Sequence, residues 1–250
     1  MKYLLTTSFL AVTALVAPSA AQSQQELIDA FAEQGVHVDI EKSQITIASF
    51  LCQLREPLEY LLVLQPQGKD HESLLYIEKL NAEALNAAML MVGAEKGENG
   101  KMVPVHPAPT EEEVQQGAPT HVYQPPSGNG FLLYAEWDIT DDQGNSEHYK
   151  YRVEDLVLNV QEERTYQRGE WVYLGSRFIR PHKDAKEFFA AQGVGNLVSL
   201  VNFEPANHLL GGADPRGANQ SIWYPNIFML PPIDHPIALT FELVRHPKPQ

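Results

Sequence analysis

Hydrophobic and polar positions change their spacing several times along the chain, and each change marks an element. Leu27, Ile28 and Phe31 share one helical face. Ser23-Gln24-Gln25-Glu26 has the form of a capping box, so a short helical segment is predicted over 22–35, stopped at Gly35. The period then falls to two. Val36, Val38 and Ile40 alternate with His37 and Asp39, which predicts a half-buried strand. Glu41-Lys42-Ser43-Gln44 links it to a second strand over Ile45–Cys52. Leu58 to Leu64 is nearly all apolar, as expected of a central strand covered on both faces. Asn81 is the expected N-cap of a helix to Val92. On it Leu80, Ala84, Ala88 and Met91 lie on one side, with Leu85, Met89 and Val92 beside them, and Gly93 follows as the stop.

Between Gly97 and Gly130 the periodicity fails. Six prolines, at 104, 107, 109, 119, 125 and 126, surround Glu111-Glu112-Glu113, which predicts a loop or insertion with no packed element. Strand signals resume over Phe131–Ile139. After the Asp141-Asp142-Gln143-Gly144-Asn145 turn, Tyr149, Tyr151 and Val153 alternate with His148, Lys150 and Arg152, so a β-hairpin is expected. Trp171–Ile179 reads as a strand with Gly175-Ser176 inside it, and Asn196–Val201 as a short apolar one. Ile237, Leu239, Phe241 and Leu243 alternate near the C-terminus. No internal repeat is visible. The sum is an α+β fold: one mixed or antiparallel β-rich domain over 36–250, with about eight strands and two or three helices.

The first 21 residues read as a secretory signal peptide. Lys2 is the positive start, Leu4 to Val16 the mostly apolar stretch, and Ser19 and Ala21 fit the small-residue positions of a cleavage site after Ala21. The expectation is an exported protein, placed in the periplasm of a Gram-negative bacterium. An uncleaved anchor is the other reading. No later run reaches about 18 consecutive apolar residues, so no membrane span is expected in the mature chain. The formal charge of −14, from 32 acids against 18 bases, argues against nucleic acid or an anionic membrane as a partner. Cys52 is the single cysteine, which excludes an intrachain disulfide and a Cys-ligated iron–sulfur cluster. It reads as a small buried hydrophobe, and the methionines of the 82–91 stretch as core filling rather than a copper or haem site.

Chemistry is sparse. The first candidate is Lys69-Asp70-His71-Glu72-Ser73, after the central strand, where imidazole, carboxylate and hydroxyl suit proton transfer or metal binding. His71-Glu72 opens an HExxH motif, but position 75 is Leu75, so the zinc-protease form fails. In an extended segment His71 and Ser73 would share a face, yet no nucleophile elbow accompanies them. A hydrogen-bond network at the strand end is the alternative. Gly193-Val194-Gly195-Asn196 is too short for a dinucleotide fingerprint and reads as a turn entering a strand. His208 and Asp214 are candidate metal ligands, or parts of a polar loop around Gly211-Gly212. His37, His148, His182, His235 and His246 show no ligand spacing. Trp223-Tyr224-Pro225-Asn226 is either an exposed aromatic platform or a half-buried core edge.

Three stretches carry a resemblance. Leu58-Glu59-Tyr60-Leu61-Leu62-Val63, then Lys69-x-His71-Glu72-Ser73-Leu74-Leu75, then Leu85-Asn86-Ala87-Ala88-Met89-Leu90-Met91-Val92-Gly93 resemble the YdjY-like domain family. Trp171 with Gly175-Ser176, and Asn196-Leu197-Val198-Ser199-Leu200-Val201-Asn202, are also similar. The resemblance covers residues 36–244 and departs in the Pro-rich 97–130 segment. It implies an exported bacterial protein and brings no activity or cofactor with it. The expectation is therefore a periplasmic binding or envelope-associated module, its partner a small molecule or an envelope protein. His71, Glu72 and Ser73 are its candidate ligand-binding residues, with His71 and Glu72 as candidate metal ligands. The alternative is a metal-assisted or His/Glu-dependent hydrolase using the same three residues. A purely structural partner domain is the third reading.

Overall fold

The computed structural model describes residues 20–246. The predicted signal peptide therefore lies almost wholly outside the described residues. Helix α1 (Ala20–Ala32) starts ahead of the predicted capping box. Ala20 and Ala21 are strong helix formers and extend it upstream, so Ser23 sits within the first turns rather than at the N-cap. Of its apolar stripe only Phe31 is buried, whereas Leu27 stays half exposed. Gly35, at φ +79°, turns the chain into β1 (Val36–Asp39), which pairs antiparallel with β2 (Gln44–Leu51).

The apolar run forms β3 (Tyr60–Leu64), and every residue of it is buried, as expected of a central strand. A 3-10 turn over Asp70–Glu72 leads into β4 (Ser73–Ile77), also buried throughout and parallel to β3. Helix α2 (Ala82–Met91) begins at the predicted cap: Asn81 Oδ1 accepts from the Glu83 and Ala84 amides at 2.8 and 3.2 Å. Leu85, Ala88 and Met89 lie wholly in the core.

The Pro-rich segment departs from expectation. It contains β5 (Lys101–Pro104), α3 (Glu111–Gln115) and β6 (His121–Gln124), with β5 and β6 paired as a two-stranded arm. A ribbon of two strands is all edge, so Pro104 costs it no interior hydrogen bond. Thr110 and Glu113 form a capping box that starts α3. None of these three elements buries a residue.

The expected hairpin is β7 (Gly130–Thr140) and β8 (Ser146–Arg152), joined where Asp141 Oδ1 accepts from the Gln143 and Asn145 amides. Short strands follow: β9 (Val157–Asn159), β10 (Arg164–Thr165) and β11 (Trp171–Tyr173). The strand predicted over Trp171–Ile179 breaks at Gly175 and Ser176, both at positive φ, and resumes as β12 (Phe178–Ile179), paired with β13 (Phe188–Phe189). Helix α4 (Ala190–Val194) ends on left-handed Gly195 and enters β14 (Asn196–Ser199). β15 (Leu210–Gly211), β16 (Trp223–Pro225) and β17 (Pro236–Leu243) complete the chain.

Eight strands close a barrel-like ring in the order β2, β17, β7, β11, β15, β14, β3, β4, and the pairs Phe50–Tyr76 and Leu51–Leu75 join β4 back to β2. β1 continues the same edge of β2, and β8 the edge of β7 beyond β11. Alternation dictates what faces inward. Ile45, Ile47 and Ser49 of β2 stand in register with Phe241, Leu239 and Ile237 of β17, Phe241 and Leu239 in turn with Leu133 and Ala135 of β7, and all are buried. The expectation of about eight strands fits this ring, while 17 strands and four helices form among the described residues. The strands that the pattern did not predict, β4 and β15 of the ring among them, are two to five residues long, too short to show a period. The β9, β10 and β16 sheet carries a second set of rings: Tyr166 lies 5.5 Å from Trp171 and 4.8 Å from Trp223, and all three are buried. Trp223 is thus core and not a platform.

Candidate functional site

The candidate residues sit where the parallel strands β3 and β4 begin. Parallel neighbours start at the same end of a sheet, so Glu59, just before β3, meets Glu72, just before β4. The Glu59 amide donates to the Glu72 carbonyl at 2.8 Å. Their carboxylates converge on one ammonium: Lys69 Nζ lies 3.0 Å from Glu59 Oε2 and 2.6 Å from Glu72 Oε2.

Lys69 is placed from below. The Gly68 amide donates to the Leu64 carbonyl at 2.7 Å and the Leu64 amide to the Gly195 carbonyl at 2.6 Å. The Lys69 amide itself donates to Asn196 Oδ1 at 3.1 Å. A Cβ on Gly195 would collide with the Gly68 amide, and its φ of +78° also favours glycine. The Gly193–Asn196 stretch, expected as a turn entering a strand, is the end of α4, its left-handed glycine cap and the start of β14, and it braces the site.

The two carboxyls differ. Burial, and then the neighbouring Glu72 carboxyl, raise Glu59 above the usual carboxylate range. At Glu72 burial pushes upward too, but hydrogen bonds from Glu59 and Lys69 and the Lys69 charge outweigh it and hold the group low. Of the two, Glu72 thus gives up its proton first and Glu59 last. Lys69 is held above its usual range, first by its bond to Glu72. Beside the pair lies a cleft of about 600 Å³ lined by Glu56, Pro57, Glu59, His71, Glu72, Gln220 and Ser221.

The three predicted residues part company here. His71 is on the rim, its side chain 71% exposed, 3.6 Å from an Asp70 carboxylate oxygen and 3.8 Å from one of Glu72. Glu72 is in the cleft wall. Ser73 is fully buried, and its hydroxyl donates to the Leu75 carbonyl at 2.8 Å. The expectation that His71 and Ser73 share a face fails because His71 lies in the 3-10 turn and Ser73 is the first strand residue. Glu59 was missed, although it is the one charged residue in the apolar Leu58–Leu64 run.

The other candidates have structural employment. Asp214 is fully buried and accepts from Arg164 Nη1 and Nη2 at 2.7 and 3.0 Å and from the Gln167 and Arg216 amides, each at 2.8 Å. His208 is buried, and burial lowers its pKa to about 4. Cys52 is half-buried, donates to the Asp70 carbonyl and is pushed up to about 12 by burial, so it is a poor nucleophile. Among the described residues no three His, Cys, Asp or Glu side chains gather as a metal-binding set. No helix among them is long and apolar enough to cross a membrane.

Comparison with family models, with curated proteins and with solved structures finds no match to this chain.

Proposed function

We propose that the protein is an exported, YdjY-like binding module that takes a small polar ligand with a cationic group in the Glu59–Glu72 cleft. One observation carries this reading: two glutamates from adjacent strand starts converge on a single ammonium at the wall of a 600 Å³ cleft. A ligand amine entering there would meet the same two carboxylates that Lys69 now satisfies, with Glu56 adding a third. Such charge-assisted bonds are the strong ones in a partly desolvated wall. The export half of the reading rests on the leader's three-part composition.

A hydrolase is the second reading, and the asymmetry of the pair favours it. Two adjacent carboxyls pushed in opposite directions, Glu59 up and Glu72 down, are the kind of pair from which acid–base catalysis divides its roles. Ser73 is then not its nucleophile, since its hydroxyl is buried and engaged.

Thermal melts of the wild type, His71→Ala, Glu59→Gln and Glu72→Ala, run against a panel of small amines with zinc, copper and iron alongside, test both readings. The binding reading expects an amine to raise the melting temperature of the wild type and to lose that effect in Glu72→Ala. Loss of about 1–3 kcal/mol in His71→Ala and Glu72→Ala, with nothing bound to the wild type, would reduce the cluster to a strand-end network. Stoichiometric metal that vanishes in His71→Ala would favour the hydrolase. Export predicts a mature N-terminus near Gln22 in the periplasmic fraction, and intact Met1 in a cytosolic fraction overturns it.

A further inference from the structure

The outer face of the barrel carries a second cavity, of about 500 Å³, remote in sequence from the glutamate cleft. Its floor is built by register. Ala48 of β2 faces Ala238 of β17, which faces Glu136 of β7, and Thr46 stands beside them. Outward positions on a central strand normally bear larger β-branched or aromatic side chains, and alanine is disfavoured there. Two exposed alanines side by side leave a shallow dent with taller walls: His37 of β1 on one side, Glu136 and Asp138 of β7 on the other. From β1 to β7 is three inter-strand steps, roughly 14 Å, which is the width of one or two fused rings with a short substituent.

The walls select a charge. Glu136 is held by Lys150 at 2.8 Å, with His148 at 3.6 Å. Asp138 Oδ1 lies 2.9 Å from His148 Nδ1, while its Oδ2 has no hydrogen-bond partner among the described residues. His235 Nε2 sits 3.0 Å from the Asp138 carbonyl and fixes that end of the wall. Lys150, His148 and His235 are thus already engaged, which leaves an Asp138 carboxylate oxygen and, across the floor, the His37 imidazole to meet a ligand in a chain of net charge −14. An apolar floor with a few convergent polar groups is the usual make-up of a small-molecule site.

We propose that this dent binds a small aromatic amine, its ring lying flat over Ala48 and Ala238 and its ammonium on Asp138. The site is independent of the Glu59–Glu72 reading and stands or falls without it.

Titration calorimetry of the signal-free chain with tryptamine, and with indole-3-propionate as the same ring carrying the opposite charge, tests this. Tryptamine is expected to bind with a Kd of roughly 0.1–1 mM, and the carboxylate at least about tenfold more weakly. Ala238→Leu fills the dent from an exposed position and should weaken tryptamine about tenfold with the melting temperature unchanged. Ala48→Leu does the same from the neighbouring strand, in case the first variant disturbs the sheet. Asp138→Asn should remove the preference for the amine, and Asp142→Asn, an exposed carboxylate of neither cleft, should change nothing. Equal binding of the two probes, tryptamine binding that survives both leucine variants in a Glu72→Ala background, loss of it in Asp142→Asn, or no binding of tryptamine at all, each overturns the proposal.

Discussion

Glu59 and Glu72 are 13 positions apart in the chain, yet the amide of the first donates to the carbonyl of the second at 2.8 Å, and both carboxylates rest on Lys69. This follows from the parallel pairing of β3 and β4, which puts both strand starts at one end of the sheet.

Removing the ammonium should expose the pair. In Lys69→Met both carboxyls lose their stabilising charge, so both should titrate at higher pH, with Glu59 still above Glu72. Carbon-detected NMR of the glutamate carboxyls reads this directly. Stability should change by less than about 1 kcal/mol, because Lys69 is 46% exposed and the pair is screened by water. Unchanged titrations in the variant would mean that the ammonium does not set the carboxyls' protonation.

Asp214 is the opposite case, a carboxylate with no contact to water. It joins the 164–167 and 214–216 segments through Arg164 and two backbone amides. Asp214→Ala leaves Arg164 Nη2 and the Gln167 and Arg216 amides without this acceptor, Nη1 keeping only the Thr165 carbonyl, and should cost about 3–5 kcal/mol. Urea melts of the variant check the figure. A loss below about 1 kcal/mol would show that water replaces the carboxylate easily.

Acid should destabilise the protein through His208. Burial holds its folded-state pKa near 4, below the 6.5 of an exposed imidazole. Above pH 6.5 both states are neutral there and the residue contributes no pH dependence. Between pH 6.5 and 4 the unfolded chain binds the extra proton, so stability falls as pH falls, by about 3 kcal/mol in all, and levels off below pH 4. Urea melts across that range should therefore show a slope that a folded His208→Gln variant loses. An equal slope in the variant would assign the acid sensitivity to other groups.

The central strand allows the sharpest stability test. Leu62 is fully buried between β14 and β4. Leu62→Asp should unfold the protein, since an unpaired buried carboxylate costs several kcal/mol, comparable with a domain's whole stability. Circular dichroism of the variant gives the answer. A folded Leu62→Asp with an unchanged melting temperature would place that strand at the surface.

The chain's own pattern determined the elements whose information is local. Asn81 as a cap, Gly93 as a stop, the nearly all-apolar Leu58–Leu64 run, the 131–152 hairpin and the alternation of Ile237 to Leu243 need only neighbours within one helix turn or one pleat. The two- and three-residue strands carry no period, and Thr110-Glu111-Glu112-Glu113 was masked by the prolines around it. Ring closure and the site depended on long-range pairing. Leu51 meeting Leu75, and Glu59 meeting Glu72 over Lys69, are contacts between segments that share no periodicity. His71 and Glu72 were legible as chemistry because imidazole and carboxylate stand side by side in the chain. That Glu72 faces the cleft, that His71 stays on its rim and that Ser73 turns into the core was decided by the change from a 3-10 turn to a strand between residues 72 and 73. A one-residue change of backbone state sends adjacent side chains to different surroundings, and only the packed strands fix where that change falls.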